Sequence, residues 1–133
     1  MTRVLIAEDE SLIRLDVRRL LEAAGFEVCG EARDGLEAVS LAESERPDVV
    51  LLDVKMPALD GVETARRILA MSDVPIVMLT AYGYGELISR ALDAGVVGYV
   101  VKPFTERELV GAVRAALDEE PGAEALAYLH RPT

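Results

Sequence analysis

Five short apolar runs alternate along the chain with segments of helical period, and this alternation restricts the possible folds. The five runs occupy residues 4–7, 27–31, 49–52, 76–79 and 99–101. Strand–helix units repeated in this way predict an α/β fold: a doubly wound parallel sheet with helices on both faces and right-handed crossovers. The second run carries charges at both ends, so we place it at a sheet edge, which favours the strand order 2-1-3-4-5.

The helical segments carry their own start signals. The first segment covers about residues 11–24 and is followed by Gly25, a common helix stop. Later segments begin with an acceptor side chain followed three residues on by glutamate, which is the spacing of a capping box. These pairs are Asp34 with Glu37, Asp60 with Glu63 and Thr105 with Glu108.

Length and breaker residues predict the domain organisation. A chain of 133 residues suits one domain. We expect residues 1–118 to form this domain and residues 119–133 to be a short C-terminal tail or linker stub. Pro121 and Gly122 mark the boundary, because both residues end helices.

Charge and cysteine content exclude several classes of protein. The chain has 24 acidic and 14 basic residues, for a net charge of −10. We therefore expect no direct binding to nucleic acid and no attachment to an anionic membrane surface. Cys29 is the only cysteine, so no intramolecular disulfide is possible and a reducing, cytoplasmic location is expected.

Polar residues follow four of the five predicted strands. Glu8, Asp9 and Glu10 follow the first, and one residue each follows the third, fourth and fifth: Asp53, Thr80 and Lys102. Ligands of open parallel sheets bind beyond the carboxyl ends of the strands. We therefore expect these side chains to meet in one crevice.

The chemistry of the crevice residues indicates phosphoryl transfer. Glu8, Asp9 and Asp53 would repel one another unless a cation lay among them, and oxygen-only ligands favour Mg²⁺. Asp53 is the candidate nucleophile, which would form an acyl phosphate. An ammonium from Lys102 and a hydroxyl from Thr80 would stabilise the charge on the transferring group.

These residues carry a family resemblance. The chain resembles the receiver domain of bacterial two-component response regulators over about residues 3 to 117, nearly everything except the tail. The matching stretches are residues 4–10, 53–57 with Asp60 and Gly61, 79–81 and 99–104. The family fold is the same 2-1-3-4-5 sheet, a flavodoxin-like (βα)5 three-layer sandwich. Within the family, residues 8–10 and 53–57 are similar to receivers fused to ANTAR-type antiterminator modules.

The resemblance implies a role for each matched residue. The phosphoryl donor would be a phosphohistidine on a sensor histidine kinase or phosphotransfer protein. By position, the roles are Asp53 as phosphoacceptor, Glu8 and Asp9 with the backbone carbonyl of Lys55 as Mg²⁺ ligands, Thr80 and Lys102 as the phosphoryl-contacting pair, and Tyr99 as the switch aromatic.

Two further predictions concern backbone and surface. The Lys102–Pro103 bond should be cis, because a tight turn must aim Lys102 back into the crevice. The output surface should be the face of the fourth helix, fifth strand and fifth helix, which would bind a partner or a second copy as a homodimer. Tyr99 would turn inward there when Thr80 moves toward the phosphoryl group.

Two alternative functions have weaker support. An aspartyl-phosphate phosphatase of the haloacid-dehalogenase type would place its nucleophile after the first strand, with a second aspartate two residues on. Here Asp9 is followed by Glu10 and Ser11. A flavodoxin-like mononucleotide binder would need a loop rich in Gly, Ser and Thr after the first strand, where this chain's carboxylates would repel a phosphate.

Overall fold

The computed structural model describes residues 1–81 and 85–117 and confirms the predicted sheet. Five parallel strands form one sheet in the order β2-β1-β3-β4-β5. The strands are β1 (Arg3–Ala7), β2 (Glu27–Ala32), β3 (Val49–Asp53), β4 (Ile76–Thr80) and β5 (Gly98–Val101). The helices are α1 (Ser11–Ala23), α2 (Gly35–Glu45), α3 (Gly61–Met71), α4 (Glu86–Asp93) and α5 (Glu106–Leu117). The predicted tail, 119–133, lies outside the described residues.

Burial along the strands follows their place in the sheet. Every residue of β3 and β4 is buried, whereas β2 is mostly half-buried, which agrees with its predicted edge position. Two layers of apolar side chains cover the sheet. One packs α1 and α5 on one face, with Val17, Leu21 and Leu109 buried, and the other packs α2, α3 and α4 on the opposite face.

Three helix starts carry the caps that the sequence predicts. The carboxylates of Asp34 and Asp60 accept hydrogen bonds from backbone N–H groups three residues on, at 2.8 and 2.9 Å. The Thr105 N–H donates to Glu108 Oε1 at 3.0 Å, and the Glu108 N–H donates to Thr105 Oγ1 at 3.1 Å. This reciprocal pair is a complete capping box at the start of α5.

A glycine brings α3 against the carboxyl end of β3. A Cβ atom on Gly61 would lie 2.5 Å from the carbonyl oxygen of Asp53 and 2.7 Å from Cα of Val54. The Gly61 N–H donates to the Val54 carbonyl at 2.8 Å. A larger residue at this position would displace either the helix or the backbone that carries Asp53. Among the residues described, no helix is both long and apolar enough to cross a membrane.

Candidate functional site

Strand register brings the predicted site residues together at the edge of the sheet formed by the carboxyl ends of the strands. Asp53 and Thr80 are the last residues of β3 and β4, and they pair with Leu79 and Val101 of the neighbouring strands. A cleft of about 450 Å³ opens at this edge. Its lining comes from four strand ends and from the start of α4, and includes Asp9, Asp53, Lys55, Thr80, Lys102 and Glu86.

Lys102 links the carboxylates of Glu8 and Asp53. Its Nζ atom donates to Glu8 Oε1 at 2.6 Å and to Asp53 Oδ2 at 3.2 Å. Glu8 is completely buried and Asp53 is 6% exposed, while the Lys102 side chain is 17% exposed. The other oxygen of Asp53, Oδ1, accepts from the Lys55 N–H at 3.2 Å. The Asp53 carboxylate is therefore oriented by donors on both sides.

Burial and charge change the protonation of two of these groups. Burial raises the pKa of Glu8 to about 7, since the hydrogen bond from Lys102 offsets only part of the cost of desolvating the carboxylate, and the neighbouring Asp53 adds to that cost. Burial alone would lower the pKa of Lys102, but its bonds to Glu8 and Asp53 outweigh burial and raise it. Lys102 is therefore a stable cation, and Glu8 is a carboxyl group that changes charge near neutral pH.

The carboxylates at this edge fit a divalent cation. One oxygen from each of Glu8, Asp9 and Asp53 lies within 4.8 Å of the others. Asp9 is exposed at the cleft, so a cation could reach the group from solvent. An all-oxygen set of this size suits Mg²⁺, which binds one or two carboxylates and keeps several waters. The predicted contribution of the Lys55 carbonyl stays a prediction.

The remaining predicted residues lie close by. Thr80 is 7% exposed and lines the cleft, and its carbonyl accepts from the Lys102 N–H at 2.7 Å. The peptide bond between Lys102 and Pro103 is cis. Tyr99 is 4% exposed and belongs to the apolar cluster that contains Met78 and the buried residues of α4.

Sequence reasoning did not identify Arg14, which contacts the main chain of this site. Nη1 of Arg14, on α1, donates to the carbonyl oxygen of Glu8 at 2.8 Å. The spacing of Arg14, one helical turn after Glu10, could have indicated a side chain that reaches back to the preceding loop. Its partner Glu31 lies at the end of β2, which the strand pattern alone does not place beside α1.

Fold and site together define a doubly wound α/β domain with an acidic cleft and a half-buried lysine, Lys102. The family model for the response regulator receiver domain matches residues 4–114. The chain belongs to this family, and its class of function is two-component signal transduction.

Relatives and solved structures support the same assignment. The chain is 50% identical over 115 residues to the transcriptional regulatory protein PdtaR of Mycobacterium tuberculosis, covering 86% of this chain and 56% of that protein. It thus spans little more than half the length of that relative. The chemotaxis protein CheY4 of Vibrio cholerae is 35% identical, with a TM-score of 0.83 over 88% of this chain and 99% of that one. A chain of the CheX–CheY–BeF3–Mg²⁺ complex from Borrelia burgdorferi is 26% identical, with a TM-score of 0.84 over 89% and 90%.

Proposed function

We propose that Asp53 accepts a phosphoryl group from a phosphohistidine of a sensor histidine kinase or phosphotransfer protein, in a reaction that requires Mg²⁺. The observation that carries this proposal is the buried Asp53 carboxylate, held 3.2 Å from Lys102 within a cluster of oxygen ligands. The chain would be a phosphoacceptor that promotes its own phosphorylation and dephosphorylation, and not an enzyme acting on an external substrate.

The residues divide the chemistry as follows. A carboxylate oxygen of Asp53 attacks phosphorus, the O–P bond forms, the P–N bond breaks, and the imidazole nitrogen leaves with the electron pair. Mg²⁺ bound by Glu8 and Asp9 would neutralise charge on the phosphoryl oxygens. The Lys102 ammonium would pair with another of these oxygens, and Thr80 would donate its hydroxyl hydrogen. Attack by water on phosphorus would later release inorganic phosphate and restore the carboxylate.

The position of the buried aspartate disfavours the phosphatase alternative. A haloacid-dehalogenase nucleophile would follow β1, where Asp9 is exposed and Glu8 is tied to Lys102. The aspartate that is both buried and oriented by two donors is Asp53, at the end of β3. The mononucleotide alternative is disfavoured by the same carboxylates, which would repel a bound phosphate in the absence of a cation.

Thr80 and Tyr99 would pass the signal from the cleft to the surface. A charge-assisted hydrogen bond from the Thr80 hydroxyl to the phosphoryl group is worth roughly 1.5–3 kcal/mol. That energy shifts a two-state population by about 10- to 100-fold. The Tyr99 ring is buried in this structure. Phosphorylation would act by changing the population of this buried position.

We place the output at the face formed by α4, β5 and α5, with a partner protein or a second copy of the chain as its ligand. Three points stay predictions: a cytoplasmic location, the absence of direct nucleic-acid binding by this chain, and the likeness to ANTAR-associated receivers. The name of PdtaR, a transcriptional regulatory protein, supports an output at the level of gene expression.

Intact mass after treatment with a small phosphodonor and Mg²⁺ tests the phosphoacceptor. The wild-type chain should gain about 80 Da, the mass of one phosphoryl group, and Asp53→Asn should gain nothing. Asp73→Asn is the matched control, because Asp73 is an exposed aspartate that follows the end of α3, whereas Asp53 precedes the start of that helix. An adduct that persists on Asp53→Asn, or that requires no Mg²⁺, contradicts the proposal.

Amide exchange with and without beryllium fluoride tests the output surface. The changes in amide exchange rate should extend from the cleft through residues 85–110. Changes confined to the surroundings of Asp53 would contradict the proposed transmission through Thr80 and Tyr99 while leaving the phosphoacceptor assignment intact.

A further inference from the structure

We propose that Arg14 is a positioning residue for the cation site, because it fixes the peptide that joins Glu8 to Asp9. The inference rests on the proposed function, in which these two carboxylates hold Mg²⁺. Arg14 lies outside the cleft lining and contacts the main-chain carbonyl of Glu8, not the carboxylates of the cation site.

The Arg14 guanidinium is held from two directions. Nη1 donates to the Glu8 carbonyl at 2.8 Å, and Nε lies 3.3 Å from Glu31 Oε1. The second oxygen of Glu31 is paired with Nη1 of Arg18, one helical turn further along α1. The Arg14 side chain is only 16% exposed. Because the guanidinium group is planar and rigid, these two contacts fix its orientation.

The consequence for Asp9 follows from the planarity of the peptide bond. The Glu8 carbonyl and the Asp9 N–H belong to one rigid plane. A donor that fixes the carbonyl therefore also fixes the direction of the main chain from Glu8 to Asp9. Glu8 itself is anchored elsewhere: its N–H donates to Ala32 at 3.0 Å, and its carboxylate accepts from Lys102 at 2.6 Å. Asp9 is exposed, so the orientation of this plane determines whether its carboxylate meets the other two.

A purely structural role for Arg14 makes a different prediction. In that interpretation Arg14 only ties α1 to the end of β2 through Glu31. Arg18 is the matched control, since it lies on the same helix and pairs with the same Glu31, and its other recorded partner is Glu22. If tethering were the whole role, Arg14→Ala and Arg18→Ala would lower stability alike and neither would alter the cation site.

The first measurement needs no metal. Amide NMR spectra of the full 133-residue chain in EDTA should show the Asp9 resonance displaced in Arg14→Ala and unchanged in Arg18→Ala. Arg14→Lys, which keeps a donor of nearly the same reach, should return the resonance toward its wild-type position. An Asp9 resonance that stays in place in Arg14→Ala, or that moves equally in both alanine variants, overturns the proposal. If Arg14→Ala does not fold, Arg14→Gln replaces it in the same comparison.

The second measurement is a calorimetric titration with MgCl2 alone. Arg14→Ala should bind Mg²⁺ about 10-fold more weakly than wild type, the lower end of the range for residues that orient metal ligands. Arg18→Ala should stay within about twofold of wild type, and Arg14→Lys should recover part of the loss. Equal affinity in wild type and Arg14→Ala overturns the positioning role. A wild-type chain that binds no Mg²⁺ contradicts the proposed function instead, and the metal-free spectra then still decide the role of Arg14.

Discussion

Replacing Glu8 by glutamine should remove a pH-dependent penalty from the metal-free protein. Glu8 is completely buried, and burial raises its pKa from 4.5 to about 7. Between these values the folded chain holds a proton that the unfolded chain has released, so Glu8 lowers stability progressively as pH rises through this window. At about 1.4 kcal/mol per pH unit, the full penalty is about 3 kcal/mol above pH 7, and about 2 kcal/mol of it falls between pH 5.5 and 8.

The sign of this effect is opposite to that of an ordinary ion-paired carboxylate. Glutamine cannot ionise, so the free energy of unfolding of Glu8→Gln should rise relative to wild type by about 2 kcal/mol between about pH 5.5 and about pH 8. One side-chain oxygen of Glu8 accepts from Lys102 and the other from the Glu10 N–H, and an amide keeps only one acceptor. That loss changes the variant's stability at every pH, so the pH dependence is the quantity to compare.

Urea unfolding in EDTA, followed by circular dichroism, measures this difference at both pH values. Glu10→Gln is the control, because Glu10 is exposed and donates to Glu8 only through its backbone N–H. Its stability relative to wild type should show little dependence on pH. If Glu8→Gln differs from wild type by the same amount at both pH values, the burial of an ionisable Glu8 does not impose a pH-dependent cost on folding.

Two further predictions concern the backbone around the site. Gly61→Ala should destabilise the fold by about 2 kcal/mol or more, since the new Cβ would lie 2.5 Å from the Asp53 carbonyl. Gly30→Ala should cost less, because the nearest atom to its new Cβ would be the end of the Leu5 side chain, at 3.1 Å, and equal losses in urea unfolding would contradict this ranking. Thr105→Ala should cost about 1 kcal/mol, because the Glu108 N–H at the start of α5 loses its acceptor, and an unchanged unfolding midpoint would refute the cap.

The sheet and the position of Asp53 were predictable because both follow from local pattern. Apolar runs of strand length give the five strands, and the charged second run identifies the edge strand. In a parallel sheet the carboxyl ends of all strands lie at the same end of the sheet. A polar residue directly after one strand therefore lies beside the polar residues that follow the neighbouring strands. Asp53, Thr80 and Lys102 meet for this reason, although 49 residues separate the first from the last.

Features that depend on side-chain packing were not predictable in the same way. The sequence places Glu8 and Asp9 together after β1, yet Glu8 is buried and bonded to Lys102 while Asp9 is exposed. Which of two neighbouring residues faces inward depends on the turn that follows the strand. The ion pair of Arg14 with Glu31 likewise requires α1 to pack beside the end of β2, a contact between elements that no local pattern encodes.

Charge balance links Lys102 to the cation. When Glu8, Asp9 and Asp53 are all ionised they carry three negative charges, and Lys102 supplies one positive charge, which leaves two uncompensated. In the metal-free chain Glu8 relieves this imbalance by keeping a proton up to about pH 7. A divalent cation compensates the two charges without that proton, so Mg²⁺ binding should release it near neutral pH. Lys102 would then no longer be required between two carboxylates, and in the proposed function its ammonium would be available to a phosphoryl oxygen on Asp53.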